Sequence, residues 1–328
     1  MQKLFVLFLI GFIMFTGTSC GKKADIYRGV QKIWSNKSYA AFTDIIKFDN
    51  KWYCVFREGT SHVSGDGVLR VMTSTDTEEW EVDTVLRIPG TDLRDPKFVV
   101  GLDGELIIYC GMKETQISNI MWKLASAGAI WTGYIKSDVS SDWLWKMKLN
   151  GEELFSLGYN FRRTPTAIST ISLYTSNRQS FPNFRLARKD FPCGGCPTES
   201  AFLFLDDRSM VTITRRDCEN RATMLGIASY PYDSIQWTSL NIVLQSPNMI
   251  QVGQDIYVAG RIYNPEDRTA LFKLDLGKKQ LKELTVLPSG YDTGYPGLYY
   301  DDGTLYISYY SEDTHAYRAI YLSRYKIN

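Results

Sequence analysis

Few residue types in this chain can do covalent or metal chemistry, and their spacing narrows the choice further. Cys193-Gly-Gly-Cys196 is a Cys-x-x-Cys run. A zinc site would want a second such pair or nearby histidine, and histidine occurs only at His62 and His315. A thioredoxin-type motif would want a βα unit, whereas Pro192 and Pro197 bracket this run; it reads as a small disulfide loop or as two free thiols. Cys54 and Cys110 lie in the apolar runs WYCVF and LIIYC and read as buried thiols. Phenols, carboxylates and arginines remain. One phenol is oddly placed: Tyr295, in Tyr-Asp-Thr-Gly-Tyr-Pro-Gly-Leu at 291–298, stands among turn-formers just ahead of a strand-like segment ending at Tyr310. With 21 tyrosines in the chain, packing is the ordinary use. A chemical role for Tyr295 therefore depends on what the fold brings to it.

The elements that would do so are strands. Helical periodicity is scarce, and short β-branched and aromatic runs punctuated by Asp, Asn and Gly recur. One unit repeats: an apolar run, a tight turn, a second apolar run. It appears as IIKFDNKWYCVF, FVVGLDGELIIYC, WKMKLNGEELFSL, AFLFLDDRSMVTIT, NMIQVGQDIYVAG and LYYDDGTLYISYY, with turns near Asn50, Gly104, Gly151, Asp207, Gly253 and Gly303. A central hairpin recurring about every 50 residues is the pattern of a four-stranded propeller blade. Sandwiches and barrels rarely repeat a hairpin at this spacing over a whole chain. Six such hairpins predict an all-β, six-bladed β-propeller over 36–328, as one closed domain acting as a monomer. Loops from all blades of a propeller meet at one mouth, so residues distant in sequence can line a single pocket.

Lys plus Arg against Asp plus Glu is 37 to 36, without a basic block, which excludes nucleic acid as an expected partner. The first residues, MQKLFVLFLIGFIMFTGTSC, carry an early Lys, an apolar run from Leu4 to Phe15 and a small-residue stretch before Cys20. That run is too short for a membrane span of ~20 residues and has the layout of an export signal. Its end resembles the bacterial lipobox, which implies lipidation of Cys20, a signal peptide over 1–20 and a tether over 21–35. The protein is thus expected to be exported and lipid-anchored to a bacterial membrane, in the periplasm or at the cell surface.

Ser74-Thr-Asp-Thr-Glu-Glu-Trp80 and, less closely, Ser137-Asp-Val-Ser-Ser-Asp-Trp143 resemble the Asp-box turn of propellers, although both lack its Gly. From about Ala40 onward the chain resembles the sialidase superfamily. That family cleaves a sugar whose anomeric carbon bears a carboxylate, using a neutral Tyr activated by a Glu in place of a carboxylate nucleophile. Arginines grip the substrate carboxylate through charge-assisted bonds. The resemblance makes Tyr295, in Gly-Tyr-Pro-Gly-Leu, the nucleophile. It makes Glu199, in Thr-Glu-Ser ahead of AFLFLDDRSMVTITRR, its base, and Arg215 or Arg216 a substrate-binding arginine. Arg268, opening RTALFKLD, or Arg261, in Ala-Gly-Arg, would be another. Phe56-Arg57-Glu58-Gly59 with the loop to Gly67 resembles the family's early Arg and acid loop, implying Arg57 as a binding residue and Asp66, or else His62, as the general acid. Arg94-Asp95-Pro96 resembles the family's Asp-Pro turn, which places Asp95 and Arg94 in the pocket. No metal and no organic cofactor are implied.

One stretch departs from the family. Where sialidases open with Phe/Tyr-Arg-Ile-Pro, this chain reads Phe42-Thr43-Asp44-Ile45-Ile46. An Asp facing a substrate carboxylate would repel it unless paired or protonated. The expectation is an exo-glycosidase acting on a terminal, sialic-acid-like sugar of a glycan or glycoconjugate, with a non-catalytic glycan-binding surface protein as the alternative. Trp143 and Trp145 could wall a sugar site but read first as core.

Overall fold

A computed structural model describes residues 26–27, 29–113, 117–140, 142–160, 169–263, 266–312 and 317–327; the expected signal segment and Cys20 lie outside them. The described chain is strands and turns throughout. Hairpins close at all six expected turns. They pair Tyr39–Phe48 with Lys51–Gly59, Asp92–Val100 with Leu106–Lys113, and Trp143–Asn150 with Glu153–Tyr159. The second half pairs Pro197–Phe204 with Met210–Arg216, Leu244–Val252 with Asp255–Ile262, and Thr293–Asp301 with Thr304–Glu312. The turns show why. Asp49 and Asn50, like Asp302 and Gly303, both take positive φ, the two-residue geometry whose twist matches the flanking strands.

Hydrogen bonding divides these strands into four four-stranded sheets and one nine-stranded sheet, where the repeat predicts six separate blades. The larger sheet contains the strands around the first hairpin and those around the last, joined by a single parallel bridge between Tyr39 and Arg318. The arrangement is an all-β propeller. The first strands of the six hairpins neighbour one another in chain order, and the last adjoins the first.

Closure corrects the expected tether. Val30–Trp34 is a strand paired antiparallel with the C-terminal strand Arg318–Lys326, so the propeller begins inside the 21–35 segment. Its polar residues hid it: Gln31 is 4% exposed and hydrogen-bonds to the carbonyl of Glu78 and, as acceptor, to Arg324.

The core lies between adjacent sheets. Phe48, Tyr53, Val55, Leu69 and Val71 pack against Phe98, Leu106, Ile108 and Trp122, and Ala201, Val211, Ile213 and Leu225 pack against Met249, Val258 and Phe272. Full burial of one such side chain contributes about 1.5–3 kcal/mol, so stability is spread around the ring. The 74–80 turn is closed by its own side chains. Asp76 accepts from the amides of Glu78 and Glu79, Ser74 from that of Thr77, and Trp80 donates to the Thr77 carbonyl. Around Ser137 the Val139 amide donates to the Ser137 hydroxyl, while the two aspartates reach outward: Asp138 accepts the Phe184 amide and Asp142 the Tyr174 hydroxyl.

The cysteine pairing also differs from expectation. Cys196 is bonded to Cys218, 22 residues on, and Cys193 is a free thiol. Spacing alone favours the near neighbour, but the partner is set by the hairpin that returns Cys218 beside Gly195, where their backbones bond. Arg216 holds that loop through the Ala222 carbonyl, Asn220 and Glu219.

Candidate active site at six strand bulges

Each of the six inner strands breaks register once against its hairpin partner. The breaks fall at 42–43, 95–96, 145, 198–199, 246–247 and 295–296. A bulge inserts one unpaired residue and re-aims its side chain. Phe42, Asp95, Ser246 and Tyr295 all adopt positive φ there, a conformation uncommon for non-glycine residues and one that persists only where the surroundings impose it. Proline follows three of them, at 96, 247 and 296; with no N–H to give, it fits a bulge on a strand that edges its sheet.

Five of these bulges meet at Tyr295. Its hydroxyl donates to Glu199 Oε1 at 2.6 Å, and its backbone amide donates to Ser246 Oγ at 2.9 Å. Its ring packs edge-on to Phe42 (centroids 4.6 Å) and Trp145 (5.9 Å), with Tyr310 behind at 6.1 Å. Lys97 Nζ lies 4.9 Å from the Trp145 ring centre and 5.9 Å from that of Tyr295. Burial, with the charges of Glu199 and Asp95, pushes the Tyr295 phenol well above its usual range, so it rests neutral.

Glu199 is 4% exposed. Besides the phenol it takes Arg215 Nη1 at 2.9 Å and the Ser246 amide at 2.8 Å. Burial alone would push its carboxyl up, but Arg215 and the Tyr295 hydroxyl outweigh that and hold it below the usual range. Glu199 is therefore ionised beside a neutral phenol, the arrangement of a nucleophile and its base. Arg215 is fixed from behind by Asp217 at 2.7 Å.

Asp95 behaves oppositely. It is 6% exposed, its Oδ1 has no hydrogen-bond partner among the described residues, and burial pushes its carboxyl up to about 6 against the pull of Arg94 and Lys97. Arg261 leaves Nε buried and unpartnered, while Nη1 donates to the Thr293 carbonyl and Nη2 to Gln245. Buried polar atoms are rarely left open, and these two lie around one phenol.

Other sequence-derived candidates sit differently. Arg268 is partly exposed and bonded to Glu266 and the Asp267 carbonyl; Arg261 is the arginine coupled to Tyr295. Arg57, fully buried, commits Nε to Asp92, Nη1 to the Ser61 carbonyl and Nη2 to Ser64. Arg94 donates to the His62 carbonyl and to Asp92, over the Phe42 ring. Both arginines thus hold the 60–67 loop, Arg57 with all three of its nitrogens and Arg94 through Nη1. Asp66 is exposed and turned back on Thr60, and the Ser64 hydroxyl leads the bonds that hold its carboxyl below the usual range. A general acid needs the reverse. Asp44 is paired: it accepts from Lys146 at 3.1 Å and from the Phe98 amide at 2.9 Å.

Sequence reading missed Ser246, Lys97, Lys146, Asp92 and Gln245. The Asp-Pro, Ser-Pro and Tyr-Pro dipeptides, each early in a hairpin's first strand, were a usable signal for the bulges. Among the described residues, no group of three or more His, Cys, Asp or Glu could hold a metal.

No family model and no curated protein sequence matches this chain. Solved structures do. A protein of unknown function from Dyadobacter fermentans DSM 18053 superimposes with a TM-score of 0.78 at 16% identity, over 92% of this chain and 100% of that one. The Penicillium chrysogenum α-L-arabinanase, solved with arabinobiose, gives 0.72 at 12% identity, over 91% and 98%. Phage phi92 endosialidase gives 0.70 at 12% identity, over 91% and 69%. At such identities the likeness is one of architecture: this chain has the all-β propeller fold found also in sialidases and arabinanases.

Proposed function

We propose that the protein is an exo-acting glycoside hydrolase that releases a terminal acidic, sialic-acid-like sugar, on a propeller of six blades if the nine-stranded sheet is counted as two. The observation that carries this reading is the 2.6 Å bond from the Tyr295 hydroxyl to Glu199 at the meeting of the strand bulges. In the first step Tyr295 Oη bonds to the anomeric carbon as the bond to the leaving oxygen breaks; the phenol proton passes to Glu199, and a separate general acid gives the leaving oxygen the proton with which it departs as an alcohol. In the second, water replaces Tyr295 and gives a proton back to that acid, while Tyr295 regains its own from Glu199. A neutral nucleophile suits a carbon that bears a carboxylate, because an anionic one would be repelled.

Arg261 Nε and Arg215 are the donors for that carboxylate, and Asp95 Oδ1 is the acceptor for a sugar hydroxyl. The absent first arginine is compatible with this, since Asp44 is neutralised by Lys146 and presents no open charge. The named neighbours, an arabinanase and an endosialidase, support glycan chemistry on this fold. We propose further that Cys20 carries the lipid that holds the exported protein at a membrane surface.

The test is release of sugar from a panel of aryl glycosides of sialic, uronic and neutral sugars, by protein lacking residues 1–20 and by its Tyr295→Phe variant. Release from an acidic sugar by the parent alone supports the reading; equal release by the variant overturns the mechanism. A second reading, glycan binding without turnover, is favoured by one observation: the Phe42 ring covers Tyr295, which is 9% exposed, and the neighbouring residue is Thr43 where the family has an arginine. Binding without product across the panel would establish it.

A further inference from the structure

The proposed reaction needs a group that gives the leaving oxygen a proton, and Asp66 is not set up for it. Another residue on the same loop is. His62 Nδ1 lies 2.6 Å from the Tyr39 hydroxyl, which in turn lies 2.6 Å from Asp292 Oδ2. Asp292 also accepts the Tyr310 hydroxyl at 2.7 Å and Arg318 Nε at 3.0 Å. Burial works against its charge, but these donors hold its carboxyl below the usual range, so it is an ionised acceptor with no proton to give. The single Tyr39 proton must then point to Asp292, and Tyr39 can only accept from His62. That fixes the imidazole with its proton on Nδ1 when neutral. Nε2, which has no hydrogen bond among the described residues, is left for a ligand.

The loop is also immobilised at this residue. Arg94 holds the His62 carbonyl at 2.9 Å, and Arg57 holds the flanking Ser61 carbonyl and Ser64 hydroxyl, both at 2.9 Å. The imidazole stands edge-on to Phe42 at 5.3 Å, and the same ring packs against Tyr295 at 4.6 Å. One aromatic ring therefore separates the oriented histidine from the phenol. His62 is exposed to solvent on this loop, yet it is pinned by two buried arginines and aligned through a tyrosine to a carboxylate, more closely than a solvated side chain requires.

We infer that His62, oriented by Tyr39 and Asp292, is the proton-transfer residue for the leaving group. This inference rests on the glycosidase reading above. As Tyr295 Oη bonds to the anomeric carbon and the carbon–oxygen bond to the leaving group breaks, imidazolium Nε2–H passes its proton to the departing oxygen, leaving neutral imidazole. In the second step Nε2 takes a proton from the attacking water, and the imidazolium is restored. Tyr39 and Asp292 are positioning residues.

The pH dependence follows from the groups facing His62. Burial, Arg94, Arg57 and Arg261 lower its pKa below the usual value of 6.5, and Asp292 partly opposes them. The imidazolium is the active form in the first step, so kcat/KM falls as pH rises through a value on the acid side of the ordinary histidine range. Loss of the Tyr39 hydroxyl moves that limb to still lower pH.

The deciding experiment compares kcat/KM for two glycosides of one sugar, one with an alkyl and one with a nitrophenyl leaving group, in the parent and in His62→Gln, Tyr39→Phe and Tyr295→Phe. Nitrophenolate leaves without a proton, so His62→Gln should lose about 10²–10⁴-fold on the alkyl glycoside and about tenfold or less on the nitrophenyl one. Tyr295→Phe should lose both equally, and Tyr39→Phe should shift the descending limb. Equal losses on both leaving groups, or no loss, in His62→Gln would overturn the inference while leaving the Tyr295 reading intact. If the parent hydrolyses neither glycoside, both readings fall. With only two histidines in the chain, ¹⁵N NMR reads the relay independently of activity: neutral His62 protonated on Nδ1 supports it, and on Nε2 overturns it.

Discussion

Two arginine clusters flank the Tyr295 phenol and differ in one respect. On the side of residues 57–94, Arg57 satisfies all three nitrogens within the protein, sharing Asp92 with Arg94. On the side of residues 199–295, Arg261 keeps Nε buried and open, and Asp95 Oδ1, which belongs to the first side by sequence, is open as well. Closed valences build a scaffold, and open ones cost stability that a ligand can recover. Composition cannot separate the two clusters; the hydrogen-bond inventory does.

The largest effects expected are on the open side, and they are kinetic. Tyr295→Phe and Glu199→Gln should each lower kcat by about 10³-fold or more on a hydrolysed substrate while leaving the urea midpoint nearly unchanged. On the closed side the effect should be on stability. Arg57→Met leaves Asp92, 4% exposed, with only the longer 3.3 Å bond from Arg94 and frees the 60–67 loop, and should lower the unfolding free energy by about 3 kcal/mol.

Asp95 gives the comparison a pH axis. Its carboxyl titrates near 3.8 unfolded and at about 6 folded. Between those values the folded protein retains a proton that the unfolded chain has lost, so stability falls as pH rises through this window. At pH 7 the shift corresponds to about 3 kcal/mol. Asp95→Asn should therefore raise stability at pH 7 by up to that amount and change nothing at pH 3, as urea unfolding at the two pH values would show. The smallest contrast is between two arginines seven residues apart. Arg261→Ala should raise KM about tenfold or more, whereas Arg268→Ala, at a partly exposed ion pair, should stay within about 0.5 kcal/mol in stability and leave KM unmoved.

Local chemistry explains what was legible in the sequence. The six hairpins could be read because each combines period-two apolar runs with residues that accept positive φ, as Asn50, Gly151 and Gly303 do. The closing strand Val30–Trp34 could not, because five residues of mixed polarity carry no period and their partner lies at the far end of the chain. Tyr295 stood out by its place among turn-formers, but its role, and Glu199 and Arg215 beside it, came only through a resemblance. The choice of Arg261 over Arg268 depended on register and on where the inner strands bulge, which alternation alone does not give. The surroundings of Arg57 and Arg94 were hidden for a related reason: whether an arginine is open or closed depends on partners such as Asp92 and the 60–67 backbone, which meet it only in the folded ring.

The most direct test of the central claim is to find where the sugar is held between the two steps. A fluorinated aryl glycoside of the hydrolysed sugar, whose electron-poor anomeric centre slows the second step, would be mixed with the protein, quenched in acid and mapped by peptide mass spectrometry. The expected result is one sugar on the peptide containing Tyr295, absent from the Tyr295→Phe variant. Turnover with the sugar on a carboxylate such as Glu199 or Asp95, or inversion at the anomeric carbon with no adduct, would contradict it.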